Sequence, residues 1–218
     1  MEIKRKEGGS KEAREIHCYS QAGLILVVSA PSGAGKTTIC RKFLKNAPNV
    51  RFSVSSTTRK PRRGEVNGSD YHFISEEKFR EGIAKGEFIE WEINYGYLYG
   101  TSKKRVEELL GKGYDILFDL DTRGAKNLKS LYPDAVFVFI LPPSMNALRE
   151  RLEKRGSEKG KILEMRIGKA MEEIRENKRY DYVIFNDNVG CSVDVLKAIY
   201  VAERHRGIRL NNRIISFV

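Results

Sequence analysis

Ala30-Pro31-Ser32-Gly33-Ala34-Gly35-Lys36-Thr37 places glycines, a lysine and a hydroxyl residue at the spacing of a phosphate-binding loop. Gly33 and Gly35 allow the backbone to curl until successive N–H groups converge on phosphate oxygens, and a helix opening behind them adds its positive end. In such a loop Lys36 reaches the β- and γ-phosphates of a nucleoside triphosphate, Thr37 ligates Mg²⁺, and residues Ala30 to Thr38 line the phosphates. Ala30 replaces the first glycine of G-x-x-x-x-G-K-[ST], which a strand-like backbone tolerates. The dinucleotide pattern G-x-G-x-x-G is absent, because no glycine follows Gly35 by three positions.

Such a loop requires a buried strand before it and a helix behind it. Leu24–Ser29 is a continuous apolar run suited to a buried parallel strand, and Thr37–Lys45 has helical spacing through Ile39, Phe43 and Leu44. Asp115–Asp121, Ala135–Leu141 before Pro142-Pro143, and Tyr182–Asn186 are further buried-strand candidates. Helical segments alternate with them: Ser102–Leu110, Thr122–Leu131, Ser144–Lys154, a long one near Ile162–Lys178, and Val193–Arg204. The alternation predicts an α/β fold, a parallel sheet flanked by helices.

Two segments break the pattern. Ser55–Gly100 is rich in aromatics and holds Gly64, Gly68, Gly82, Gly86, Gly96 and Gly100, with extended pieces at Tyr71–Ile74 and Phe88–Trp91. It reads as an inserted, mostly antiparallel lobe. Arg149–Ala170 is charged, arginine-rich and interrupted by Gly156 and Gly160, and reads as a mobile helical flap. The expected plan is a flexible or partly helical extension 1–22, one domain 23–206 and a tail 207–218. Within the domain, 23–54, 102–145 and 171–206 form the core, 55–101 the lobe and 146–170 the lid.

A chain of 218 residues suffices for one such domain. No apolar run reaches the ~18–20 residues of a membrane helix, and Met1–Ser20 lacks the apolar stretch of a signal peptide. A cytoplasmic location and no membrane partner are expected. Cys18, Cys40 and Cys191 are scattered, as reduced thiols are, with no zinc-like clustering. The net charge of +11 calls for an anionic partner. Lys36 to Arg63 contains nine basic residues and no acid, whereas residues 1–16 are nearly balanced. This favours a compact polyanion site in the body over a nucleic-acid arm.

Ser53-Val-Ser-Ser-Thr-Thr-Arg59-Lys-Pro-Arg62-Arg-Gly-Glu65-Val-Asn-Gly68-Ser-Asp-Tyr71 resembles the acceptor-binding signature of the guanylate kinase family. Phe88-Ile-Glu90-Trp91, Tyr99-Gly100-Thr101, Asp119-Leu-Asp121 and the flap arginines continue the resemblance, which runs from about Gly23 to Arg206. It implies transfer of a phosphoryl group from ATP to GMP, and to dGMP, with Mg²⁺. It also implies that Ser55, Arg59, Arg62, Tyr71 and Tyr99 hold the GMP phosphate, while Glu90, Thr101 and Asp121, with Gly100 between the lobe contacts, hold the guanine. Arginine forks suit a phosphate dianion. Carboxylates suit the N1–H and 2-amino donors of guanine, which adenine does not offer together. Asp119 is expected to hold Mg²⁺ through water, and Arg151, Arg155 and Arg166 to close over the phosphates as catalytic residues with Lys36. Asn186-Asp187 is expected near adenine, and His72 and Trp91 are expected to pack the lobe. Arg123 departs from the family's usual glutamine. Within the enzymes the runner-up is another small-molecule P-loop kinase; outside them, two rival readings are a noncatalytic module that binds phosphorylated protein segments and a nucleic-acid binder. The first is opposed by the retained phosphate loop and flap arginines. The second leaves Glu90 and Asp121 without a purpose.

Overall fold

The computed structural model describes residues 23–62, 64–94, 96–154 and 160–215. The extension 1–22 and Arg155 lie outside the described residues, so the expectations placed on them are not addressed by it.

Five parallel strands form the core sheet in the order β2 (Val50–Phe52), β7 (Asp115–Asp119), β1 (Ile25–Ser29), β8 (Val136–Leu141), β9 (Tyr182–Phe185). The central runs are wholly apolar because both faces are covered. Leu24, Leu26 and Val28 pack with Ile39 and Phe43 of α1 (Lys36–Lys45) and Leu196 of α7 (Val189–Arg204). Ile25 and Val27 face the other way, onto Val106 of α3 (Lys103–Gly111) and Ala125 and Leu128 of α4 (Thr122–Leu131). Strand β2 is absent from the sequence-based expectation. Its three residues are split by Arg51, whose guanidinium lies 4.0 Å from the centre of the Tyr114 ring. Burial of so short an edge strand follows from pairing with β7, not from its own pattern.

The inserted lobe is a second, mixed sheet in the order β4 (His72–Phe73), β3 (Ser56–Thr57), β6 (Tyr97–Ser102), β5 (Phe88–Asn94). Only β3 and β4 pair in parallel, so the lobe is mostly antiparallel as expected. It also contains a helix the sequence reading passed over, α2 (Glu76–Ala84). Ser75 caps it by accepting the Lys78 N–H at 3.2 Å, Glu76 and Glu77 sit in its first turn, and buried Phe79 stacks on Phe88 at 4.3 Å. Trp91, expected to pack the lobe, is 42% exposed on the edge strand; His72 is half-buried.

The arginine-rich flap is two helices, α5 (Met145–Lys154) and α6 (Lys161–Arg175), joined through Leu148, Leu152, Leu163, Ile167 and Ala170. Helix α6 runs unbroken across the boundary expected at residue 170. A further helix, α8 (Gly207–Ile215), occupies the segment expected only as a tail. No described helix is long and apolar enough to cross a membrane.

Candidate active site

Register brings the phosphate loop and the acidic residues together. Val28 pairs with Asp119, so β1 and β7 end side by side; the loop leaves one strand and Asp119-Leu120-Asp121 leaves the other. Gly33 and Gly35 have φ of 92° and 99°, a region that glycine enters without penalty. A Cβ on Gly35 would lie 2.4 Å from Asn186 Nδ2, so the position also requires the bare backbone for space. Gly35 gives no side-chain cap to α1, leaving the first N–H groups of that helix to an anion.

Lys36 forms an ion pair with Asp119 and donates to the Leu120 carbonyl at 2.8 Å. Burial alone would lower its pKa, but Asp119 outweighs burial and the net shift is upward. The ammonium is therefore charged and already at the loop. Thr37 and Thr38 are exposed at the start of α1. Arg151 donates to Ala34 O at 3.3 Å and to Asn186 O at 3.0 Å, which anchors α5 to the loop. Arg166 lines a cavity of about 250 Å³ with the loop residues and Asp121.

Asn186, expected near adenine, is 2% exposed and has another job. Its amide donates to Ala34 O at 2.7 Å, and its own carbonyl oxygen accepts from Ser192 at 3.1 Å. With those groups engaged, Asn186 is a strut under the phosphate loop, and exposed Asp187 alone faces solvent.

The lobe residues form a second group, and Asn94 at the end of β5 reaches the loop cavity beside Asp121. The β5–β6 ladder shifts register between Phe88 and Glu90, and this bulge turns Glu90 to sit opposite Thr101. Glu90 is 5% exposed and accepts the Thr101 hydroxyl at 2.7 Å. Ser55 Oγ lies 3.4 Å from Thr101 Oγ1. Asp121 is the N-cap of α4, with Oδ1 accepting the N–H groups of Arg123 and Gly124 at 2.9 Å each. Gly124 gives Glu90 room, since a Cβ there would sit 3.2 Å from Glu90 Oε2. Gly100 is equally confined, since a Cβ there would sit 2.9 Å from Phe79 Cζ and 3.0 Å from Glu90 O. The side chain of Arg123, the departure from the family pattern, is exposed.

Arg59 does not present an open fork. Its guanidinium pairs with Glu65 through two bonds of 2.9 Å, and Nε donates to the Tyr99 hydroxyl at 3.2 Å. Tyr71 lies beneath, its ring centre 5.3 Å from the guanidinium carbon and 5.9 Å from the Tyr99 ring. Arg62 is exposed, and its backbone N–H also donates to Glu65, at 2.7 Å. Glu65 thus organises both arginines. It went unassigned in the sequence reading, although it lies three residues beyond Arg62 inside the quoted signature.

Two more carboxylates were missed. Glu92 follows Glu90 by two, the strand period, so both point to the same face. Burial, with Asp121 and Glu90 nearby, pushes Glu92 up to about 8. Burial likewise pushes Glu90 up to about 7, with Thr101 opposing and Asp121 reinforcing the shift. Glu173 of α6 lines the phosphate cavity together with Lys169 and Asn94.

A glycine loop at the end of the central parallel strand, a lysine on its helix and an acid on the neighbouring strand define a P-loop kinase core. The guanylate kinase family model matches residues 23–203. A guanylate kinase of Symbiobacterium thermophilum is 50% identical over 187 residues, 86% of this chain and 89% of its own length. One from Syntrophus aciditrophicus is 50% identical over 192 residues, 88% of this chain and 92% of its own. The crystal structure of guanylate kinase from Anaplasma phagocytophilum superposes with a TM-score of 0.72 at 34% identity, covering 88% of this chain and 90% of that one. The chain belongs to the guanylate kinase family.

Proposed function

We propose that this chain transfers the γ-phosphoryl group of ATP to GMP, yielding ADP and GDP, and that it accepts dGMP as well. The carrying observation is the Glu90 carboxylate, held by Thr101 beside Asp121 on the wall facing the phosphate loop. One Glu90 oxygen serves Thr101; the other remains for the N1–H and 2-amino edge of guanine, with Asp121 beside it. Adenine would set an acceptor against buried Glu90, a mismatch that selects by ~10⁴-fold or more. The roles assigned to Ser55, Arg59, Arg62, Tyr71 and Tyr99 follow from their grouping around the place where a phosphomonoester attached to that base would lie. Arg59 reaches it with its remaining N–H while Glu65 keeps the fork in place.

Phosphoryl transfer asks for positioning and charge stabilisation more than for covalent help. Lys36 turns from Asp119 to the β- and γ-phosphates, helped by the free N–H groups of α1. Arg151, bonded to the loop itself, Arg166 and, by family resemblance, Arg155 face the transferred group. Thr37 and Asp119 offer hard oxygen donors, a set that suits Mg²⁺ retaining waters and phosphate oxygens. When bound, Mg²⁺ neutralises phosphate charge. The lobe 55–101 and lid 146–170 acting against the core would exclude water, a competing acceptor. A cytoplasmic setting follows from the two nucleotide substrates.

The test is ADP formation with ATP, Mg²⁺ and a panel of GMP, dGMP, AMP and UMP. GMP should exceed AMP by about 10³-fold or more in kcat/KM, and Glu90→Ala should erase most of that preference. Absence of ADP formation with GMP, or an unchanged preference in Glu90→Ala, refutes the reading.

A further inference from the structure

Helix α6 turns one face to the phosphate loop. Arg166, Lys169 and Glu173 recur at three- and four-residue spacing, and all three line the cavity that holds Ser32, Gly33, Gly35, Lys36 and Thr37. Two cations beside a triphosphate site are explained by charge. A carboxylate in the same wall faces the same anion and needs another reason.

Glu173 is 12% exposed at the side chain, and Lys169 Nζ stands 4.0 Å from its Oε1. Its Oε2 is buried without a hydrogen-bond partner among the described residues. Burial raises its pKa against the opposing pull of Lys169, the Ser32 backbone N–H and Lys36, while Asp121 adds to the rise. Natural interiors rarely leave a buried acceptor unsatisfied without a purpose. Ser32, just before the glycines that curl around phosphate, lines the same cavity as this carboxylate, and its backbone N–H is among the groups that oppose the rise.

We propose that Glu173 is a positioning residue for phosphoryl transfer, registering α6 against the phosphate loop at Ser32 and aligning Lys169 beside it. The inference rests on the kinase reading of the same cavity. Without Glu173, Arg166 and Lys169 ride on a helix that is no longer indexed to the loop, and the donors miss the charge that develops on the transferred group. A misplacement of about 1 Å in such a site costs about 10²-fold in rate. Glu173 is not among the partners of Glu90, Thr101 or Arg59, the residues proposed to hold GMP from the lobe.

The experiment compares wild type, Glu173→Ala and Glu173→Gln in kcat, in KM for ATP and GMP, and in amide hydrogen exchange of the peptide containing Ser32. For Glu173→Ala the expected result is a kcat lowered about 10²-fold, GMP KM within about twofold, and faster exchange at the loop. Glu173→Gln keeps an acceptor for Ser32 but loses the charge toward Lys169, so kcat recovers to about tenfold below wild type. Wild-type kcat in either variant overturns the proposal. So does a rise in GMP KM parallel to the loss of kcat, the mark of a general structural role. If Glu173→Ala does not fold, Glu173→Gln alone decides by the same criteria. Hydrogen exchange needs no substrate. An inactive wild type would therefore refute the kinase reading, while unchanged loop exchange in Glu173→Ala would refute the clamp.

Discussion

Glu90 and Glu92 show how a buried carboxylate trades stability for recognition. Each loses its proton near pH 4.5 in the unfolded chain but holds it to about 7 (Glu90) or about 8 (Glu92) in the folded one. Above pH 4.5 the folded state therefore binds more protons, and stability falls as pH rises through the folded values. Their stabilising contribution is complete only below pH 4.5. Glu92→Gln should accordingly raise the Tm at pH 8.5 and leave it nearly unchanged at pH 4.5. Thermal melts across that range check it, and a Tm gain that does not grow with pH contradicts the assignment. In the proposed reading the cost at Glu90 is retained because an ionised acid accepts guanine's donors. Glu90 could be picked out because its flanking residues match a family signature. Glu92 could have been found from the strand period alone, two residues on, but its contact with Asp121 crosses from β5 to the start of α4 and leaves no local trace.

At the scale of elements, single residues serve both architecture and chemistry. Asp121 caps α4 with one carboxylate oxygen, and the other is the one proposed to meet guanine. These roles separate by substitution. Asp121→Ser, which keeps a capping oxygen, should retain stability within about 0.5 kcal/mol of wild type while raising GMP KM tenfold or more. Asp121→Ala should also lose about 1 kcal/mol. Denaturant melts and steady-state kinetics on the pair test this, and equal stability of the two variants would deny the cap. Helix α2 illustrates the opposite balance. Its start signal, Ser75 followed by two glutamates, is plain in the sequence, but glycines and aromatics on either side suggested strands throughout. Arg51 in the middle of β2 masked a strand that exists only because β7 supplies its partner.

The whole molecule is tied together by contacts distant in sequence. Asp115, 1% exposed, accepts the Leu24 N–H at 2.6 Å, the Tyr200 hydroxyl at 2.6 Å and Arg204 at 2.8 Å, joining β7, the approach to β1 and α7. Asp115→Ala removes the buried acceptor shared by the Leu24 N–H, the Tyr200 hydroxyl and Arg204 and should cost about 3–5 kcal/mol of global stability, measured by denaturant unfolding. A loss below about 1 kcal/mol would show the cluster to be dispensable. The α/β architecture, the phosphate loop and an inserted, mostly antiparallel lobe were legible in the residues, because glycine placement, apolar periodicity and short signatures act over neighbouring positions. Asn186 as a strut for Ala34, 152 residues away, Glu65 filling the fork of Arg59, and Glu173 lining the loop cavity with Ser32 were not. Those pairings depend on which side chains packing brings together and deprives of water, and only the tertiary fold decides that.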